Sequence, residues 1–193
     1  GADAALIVTP YYNKPTQLGL YKHFKIIAEK TNIPIIIYNI PGRSVVDMNI
    51  ETMIELSKIK NIIGVKDATN DLFRPLLTRK KMQNDFCYLS GEDGTALAYL
   101  AQGGHGCISV TANVAPKLCS EMHSAWQKGN ILKSQEIKGK ADADATKIYA
   151  EAYSKDKDFY EFFKTLETYR NTLDPSTLFI LSTDNKYLKY LEK

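Results

Sequence analysis

Lys66 closes the apolar run Ile62-Ile63-Gly64-Val65. If that run is a strand, the amine arrives at the mouth of a sheet in partly apolar surroundings. Burial disfavours the charged form of an ammonium. A free amine placed there condenses with a ketone or aldehyde to an imine, an electron sink for carbon–carbon chemistry. The same residue types also fit an ordinary strand-end lysine paired with Asp67. Tyr38 follows the strand-like run Ile33 to Ile37, and Tyr12 lies just after Ala5 to Thr9, so both phenols are expected over the face that carries Lys66. Imine formation needs proton transfers, which a hydrogen-bonded phenol can relay, although either ring could instead pack in an upper layer of a core. Arg43, after the Pro41-Gly42 turn, suits forked recognition of a carboxylate or is simply a surface arginine. Gly103-Gly104-His105-Gly106 calls for positive backbone dihedrals or close approach of another group.

These groups need elements to position them. From residue 5 the chain repeats a short apolar, β-branched run, a loop rich in Gly, Pro, Asn or Asp, and an amphipathic stretch of helical period, the pattern of βα units. Strands are expected at Ala5 to Thr9, Ile33 to Tyr38, Ile62 to Lys66, Phe86 to Ser90 and Cys107 to Val110. Helices are expected at Leu18 to Glu29, Ile50 to Ile59, Leu72 to Met82, Thr95 to Gln102 and Pro116 to Lys128. Runs such as Pro34-Ile35-Ile36-Ile37 do not alternate, as expected of parallel strands buried on both faces. An open doubly wound sheet and a closed (β/α)8 barrel both satisfy this pattern. The barrel is favoured because polar residues cluster where different strands end, at Tyr11-Tyr12-Asn13, Tyr38-Asn39, Lys66-Asp67, Gly91-Glu92-Asp93 and Ser109. No glycine-rich dinucleotide fingerprint follows a first strand. The expected fold is therefore α/β, a partial TIM barrel of five βα units followed by a helical tail.

Composition excludes several classes. With 25 Lys plus Arg against 22 Asp plus Glu the net charge is only +3, and no long basic run occurs, which argues against nucleic acid. Cys87, Cys107 and Cys119, with His23, His105 and His123, lack metal-ligand spacing. Neither metal nor cofactor is expected, and reduced thiols point to the cytoplasm. No apolar run approaches the roughly 18 to 20 residues that cross a bilayer. The chain opens at Gly1 without an initiator methionine, which reads as a fragment.

No glycine occurs after Gly139, yet half of the aromatic residues do. Domains are thus expected at 1–137, a partial barrel, and 138–193, a helical tail. Ala141 to Leu173 reads as one long helix broken near Ser154 and stopped by Asp174-Pro175. Short apolar pieces follow at Leu178 to Leu181 and Tyr187 to Leu191.

Five ordered motifs, Thr9-Pro10-Tyr11-Tyr12-Asn13, Tyr38-Asn39-Ile40-Pro41-Gly42-Arg43, Gly64-Val65-Lys66-Asp67-Ala68-Thr69, Leu89-Ser90-Gly91-Glu92-Asp93 and Gly104-His105-Gly106-Cys107-Ile108-Ser109-Val110-Thr111-Ala112-Asn113, resemble the dihydrodipicolinate synthase family of Schiff-base aldolases over residues 1–137. The resemblance implies a lyase that joins pyruvate, held as a Schiff base on Lys66, to aspartate semialdehyde in lysine and diaminopimelate biosynthesis. It implies Tyr38 as proton relay, Tyr12 as the phenol given to a neighbouring subunit's site, Arg43 as a ligand of the aldehyde substrate's carboxylate, and Gly91 and Ile108 as backbone positions lining the pyruvate pocket. Tyr11 matches a position near a lysine feedback site. A homo-oligomer, a dimer of dimers in the family, is implied too. The related N-acetylneuraminate lyases share the tyrosine and lysine motifs but fit Arg43 and Lys66-Asp67-Ala68-Thr69 less well. The family's first three βα units, with a glycine- and threonine-rich loop, have no counterpart here, so activity is a separate expectation from ancestry. From Gly139 the sequence instead resembles the C-terminus of HflC-type stomatin/prohibitin-like proteins, which offers an alternative: a noncatalytic remnant whose tail mediates protein assembly.

Overall fold

Side-chain caps start the first long helices where the sequence changes period. Thr16 accepts a hydrogen bond from the Gly19 N–H at the start of α1, Gln17–Lys30, and Asn49 does the same for Thr52 at the start of α3, Ile50–Ser57. The computed structural model describes residues 1–82, 85–172 and 190. Its remaining elements are β1 (Ala5–Val8), β2 (Ile35–Asn39), the single-turn α2 (Pro41–Ser44), β3 (Ile62–Asp67), α4 (Arg74–Arg79), β4 (Cys87–Ser90), α5 (Ala96–Ala101), β5 (Gly106–Cys107), α6 (Pro116–Gln127), α7 (Ile131–Ser154) and α8 (Lys157–Thr172).

All five strands are parallel, in the order β1-β2-β3-β4-β5. Each new strand adds beside its predecessor. With crossovers of one hand, that order places the intervening helices on one face and leaves no switch point of the doubly wound kind. The architecture is an α/β barrel segment of five strands. Leu20, Phe24 and Ala28 repeat every four residues along α1 and are buried with Ile35, Ile37, Leu56 and Val65 in the layer between helices and sheet. The opposite face is only partly covered: Leu6 and Val8 of β1 are 45% and 37% exposed. The expectation of strands buried on both faces thus holds on the helix side, because five strands do not wrap around to cover the other.

Two expectations need correction. The strand expected over Cys107 to Val110 pairs with β4 only through Gly106 and Cys107. The Val110 and Thr111 N–H groups donate to the Asp93 carboxylate at 2.9 and 3.0 Å, which draws the chain out of the sheet and into a 3₁₀ turn, Thr111–Asn113. The helix expected from Ala141 begins ten residues earlier, at Ile131. Gly129 adopts a left-handed φ of 73°, and Asn130 then caps Lys133. The break near Ser154 is observed: Asp156 caps α8 through the Phe159 N–H. The pieces expected at Leu178 to Leu181 and Tyr187 to Leu191 lie outside the described residues, Tyr190 excepted. The chain divides into two compact units, Gly1–Lys138 and Gly139–Lys193. No helix among the described residues is long and apolar enough to cross a membrane.

Candidate active site

Register brings the central pair together. Tyr38 of β2 is the Cα partner of Lys66 of β3, and residues paired in parallel strands point to the same side of the sheet. Both therefore leave the helix face, while their neighbours Asn39 and Asp67 enter it. Lys66 is 8% exposed, and its Nζ stands 4.1 Å from the centroid of the Tyr38 ring, a cation–π distance. Gly91, directly after β4, clears the lysine's path. A Cβ there would lie 2.8 Å from Ala68 Cβ and 3.1 Å from Lys66 Cε, while the Gly91 N–H donates to the Asp67 carbonyl at 2.6 Å. The Ile108 N–H donates to the Ser90 carbonyl at 2.9 Å and fixes the start of the neighbouring loop.

The other expected side chains are exposed. Tyr12 is 88% exposed on the loop after β1, and Tyr11 beside it is exposed too. Arg43 is exposed on α2. Gly103 adopts φ +92°, as its motif requires. Among the described residues no group of three or more His, Cys, Asp or Glu could hold a metal ion.

Two polar clamps brace the loops around the lysine. Asn39, fully buried at the end of β2, donates to Asp47 at 2.8 Å and accepts from the Met48 N–H at 3.2 Å. The Arg74 guanidinium, from α4, grips both Asp47 oxygens at 3.0 Å and donates to the Met48 carbonyl at 2.9 Å. The only advance signal was a polar residue at the end of an apolar strand; its partners lie too far along the chain for spacing to reveal them.

The second clamp is Asp93, whose bonds to Val110 and Thr111 fix the loop after β5. Burial by itself would raise the Asp93 carboxyl, but hydrogen bonds from Ser109, Thr111 and Val110 outweigh it and hold the group below its ordinary 3.8. A depressed folded pKa stabilises the fold above the unfolded value, and that contribution is lost as pH falls through the folded value. Asp93→Asn is expected to flatten this acid limb and to lower stability near neutral pH by about 1–2 kcal/mol, read from urea midpoints across the acid range.

Burial drives Asp67 the other way, raising its carboxyl against hydrogen bonds from Thr69 and the charge of Arg74. Burial likewise pushes the Cys107 thiol up to about 11, with Asp93 adding to the effect. Only the thiolate alkylates readily. At pH 8 Cys107 is therefore expected to react with iodoacetamide about a hundredfold more slowly than an ordinary cysteine, checked by peptide mass mapping.

A one-directional parallel α/β sheet with a buried lysine at a strand end defines an α/β-barrel protein of lysine-centred type. Residues 1–154 match the model of the dihydrodipicolinate synthetase family, and the chain belongs to that family. It is 63% identical over 138 residues to the 4-hydroxy-tetrahydrodipicolinate synthase of Rhodospirillum centenum, covering 72% of this chain and 47% of the relative. The enzyme of the same name from Gluconacetobacter diazotrophicus is 52% identical over 153 residues, 79% of this chain and 52% of that protein. Among solved structures, the Aquifex aeolicus dihydrodipicolinate synthase superposes with a TM-score of 0.71 at 43% identity, over 74% of this chain and 49% of that one. The Thermotoga maritima dihydrodipicolinate synthase superposes with a TM-score of 0.70 at 34% identity, over 99% of this chain and 65% of that one. The chain spans about half the length of the curated relatives it matches.

Proposed function

We propose that this chain carries the lyase chemistry of 4-hydroxy-tetrahydrodipicolinate synthase, condensing pyruvate with aspartate semialdehyde in lysine and diaminopimelate biosynthesis. The observation that carries the reading is the buried Lys66 amine facing the Tyr38 ring, with Gly91 keeping the space beside it clear. Lys66 attacks the pyruvate carbonyl carbon, the carbonyl oxygen leaves as water, and the resulting imine loses a methyl proton to give an enamine. That enamine carbon adds to the aldehyde carbon of the second substrate, whose oxygen takes up a proton. The substrate's own amino group then attacks the imine carbon and displaces Lys66, and the chemistry needs no cofactor.

Tyr38 relays the protons that expel water. Arg43 binds the aldehyde substrate's carboxylate, and the backbone at Gly91 and Ile108 lines the pyruvate pocket. The exposure of Tyr12 supports its service to a neighbouring subunit's site, and with it a homo-oligomer, a dimer of dimers working in the cytoplasm. Imine formation and turnover are separate outcomes. Pyruvate with borohydride tests the first: a reduced pyruvyl group on the peptide holding Lys66 supports the reading, and an unmodified peptide under conditions that label an intact relative removes it.

A second reading is favoured by α8, where Phe159, Tyr160, Phe162, Phe163 and Leu166 are all exposed. The resemblance of the sequence from Gly139 to HflC-type C-termini supports a tail of separate origin that mediates assembly. Phe159→Ser with Phe163→Ser is then expected to reduce the assembled size in light scattering, and an unchanged size would count against it.

A further inference from the structure

Residues 40–49, between β2 and α3, hold a backbone conformation that their own sequence opposes. Val45 sits at φ 65°, ψ −27°, on the left-handed side of backbone space. For an L-residue this costs roughly 1–2 kcal/mol, and a β-branched side chain is among the least suited to it. Such a residue persists only where its surroundings over-determine it.

The surroundings do so from several directions. The Val45 N–H donates to the Pro41 carbonyl at 2.9 Å, and the buried Ser44 hydroxyl lies 2.9 and 3.0 Å from the carbonyls of Ile40 and Val46. Downstream, the Asp47-Met48 pair is held by Asn39 from β2 and Arg74 from α4 through the five hydrogen bonds given above. Gln17 of α1 adds two more, donating to the Asp47 carbonyl at 2.7 Å and accepting from the Asn49 N–H at 3.0 Å. Three separate elements thus grip a stretch of three residues, while Arg43, two positions from the strained valine, is left exposed and makes none of these side-chain bonds.

We infer that Asn39, Asp47 and Arg74 are positioning residues, a latch that keeps the strained loop closed so that Arg43 stands ready for a substrate carboxylate. This rests on the reading of Arg43 given above. A guanidinium that must meet a planar carboxylate with two parallel hydrogen bonds gains most from a fixed base, because misplacement removes both bonds at once. Loop strain is then the cost of presenting Arg43 where the loop's relaxed form would not.

Arg74→Lys tests the latch, since an ammonium keeps the charge but cannot reproduce the fork. Amide exchange in residues 43–49 is expected to accelerate about tenfold or more, with α1 unchanged. KM for aspartate semialdehyde is expected to rise about tenfold while kcat and the yield of the Lys66 adduct fall less than about twofold. Unchanged loop exchange overturns the latch, and faster exchange with an unchanged KM reduces it to a structural tie. If Arg74→Lys does not fold, Asp47→Asn replaces it with the same expectations. Should the unsubstituted chain form no adduct, the lyase reading falls instead. The latch is then judged by phenylglyoxal labelling of Arg43: protection by succinate semialdehyde that disappears in Arg74→Lys supports it, and equal labelling in both proteins overturns it.

Discussion

Lys66→Ala and Lys66→Arg are each expected to abolish the borohydride-trapped pyruvate adduct completely. Alanine removes the nucleophile, and a guanidinium, protonated at any working pH, cannot form the imine. Hydride from borohydride adds to the imine carbon and solvent supplies the proton to nitrogen, so a trapped adduct reports the carbon–nitrogen bond itself. Tyr38→Phe keeps the ring that faces the amine but loses the hydroxyl. It is expected to slow trapping by about 10²–10⁴-fold without preventing it, the range of a lost proton-transfer group. Retained labelling in Lys66→Ala would place the reaction on another lysine and remove the assignment.

Phe24→Ala is expected to produce the largest loss of stability. The ring is fully buried on the sheet-facing side of α1 and meets His23 edge-on at 5.1 Å. Emptying such a site costs about 3–5 kcal/mol, against a total stability on the order of 5–15 kcal/mol for a domain. A fall of the urea midpoint by about a fifth or more is the expected result, with adduct formation lost in proportion to the folded fraction. Lys66→Ala, by contrast, is expected to lose the adduct while the fold survives. The pair separates chemistry from scaffold, and a Phe24→Ala protein as stable as its parent would show that α1 does not anchor the sheet.

Much of this arrangement is legible in the sequence because it is written in short spacings. The apolar run ending in Lys66 gave the strand, and a strand gives the lysine's place at the mouth. Tyr38 is expected over the same face because it too closes an apolar run, Ile33 to Ile37. The single-turn α2 was not legible: Pro41-Gly42 reads as a turn, and only the left-handed Val45 closes it into a helix. Nor was the contraction of β5, where a carboxylate 17 residues away competes with the sheet for backbone N–H groups. Asp47 and Arg74 carry no periodic signal at all. Polar pairs joined across 27 residues depend on how elements pack, which a single sequence does not encode locally.

The order of the strands has a kinetic consequence. Every strand pairs with the next one in the chain, so partners lie only about 17 to 30 residues apart, and closing loops of such similar length differs in entropy by less than about 1 kcal/mol. Among the described strands no pairing waits for a distant segment. A nascent chain can therefore add one unit at a time as it is synthesised, with each finished unit templating its successor, and early folding should proceed from β1 toward β5 without a rate-limiting search for remote contacts.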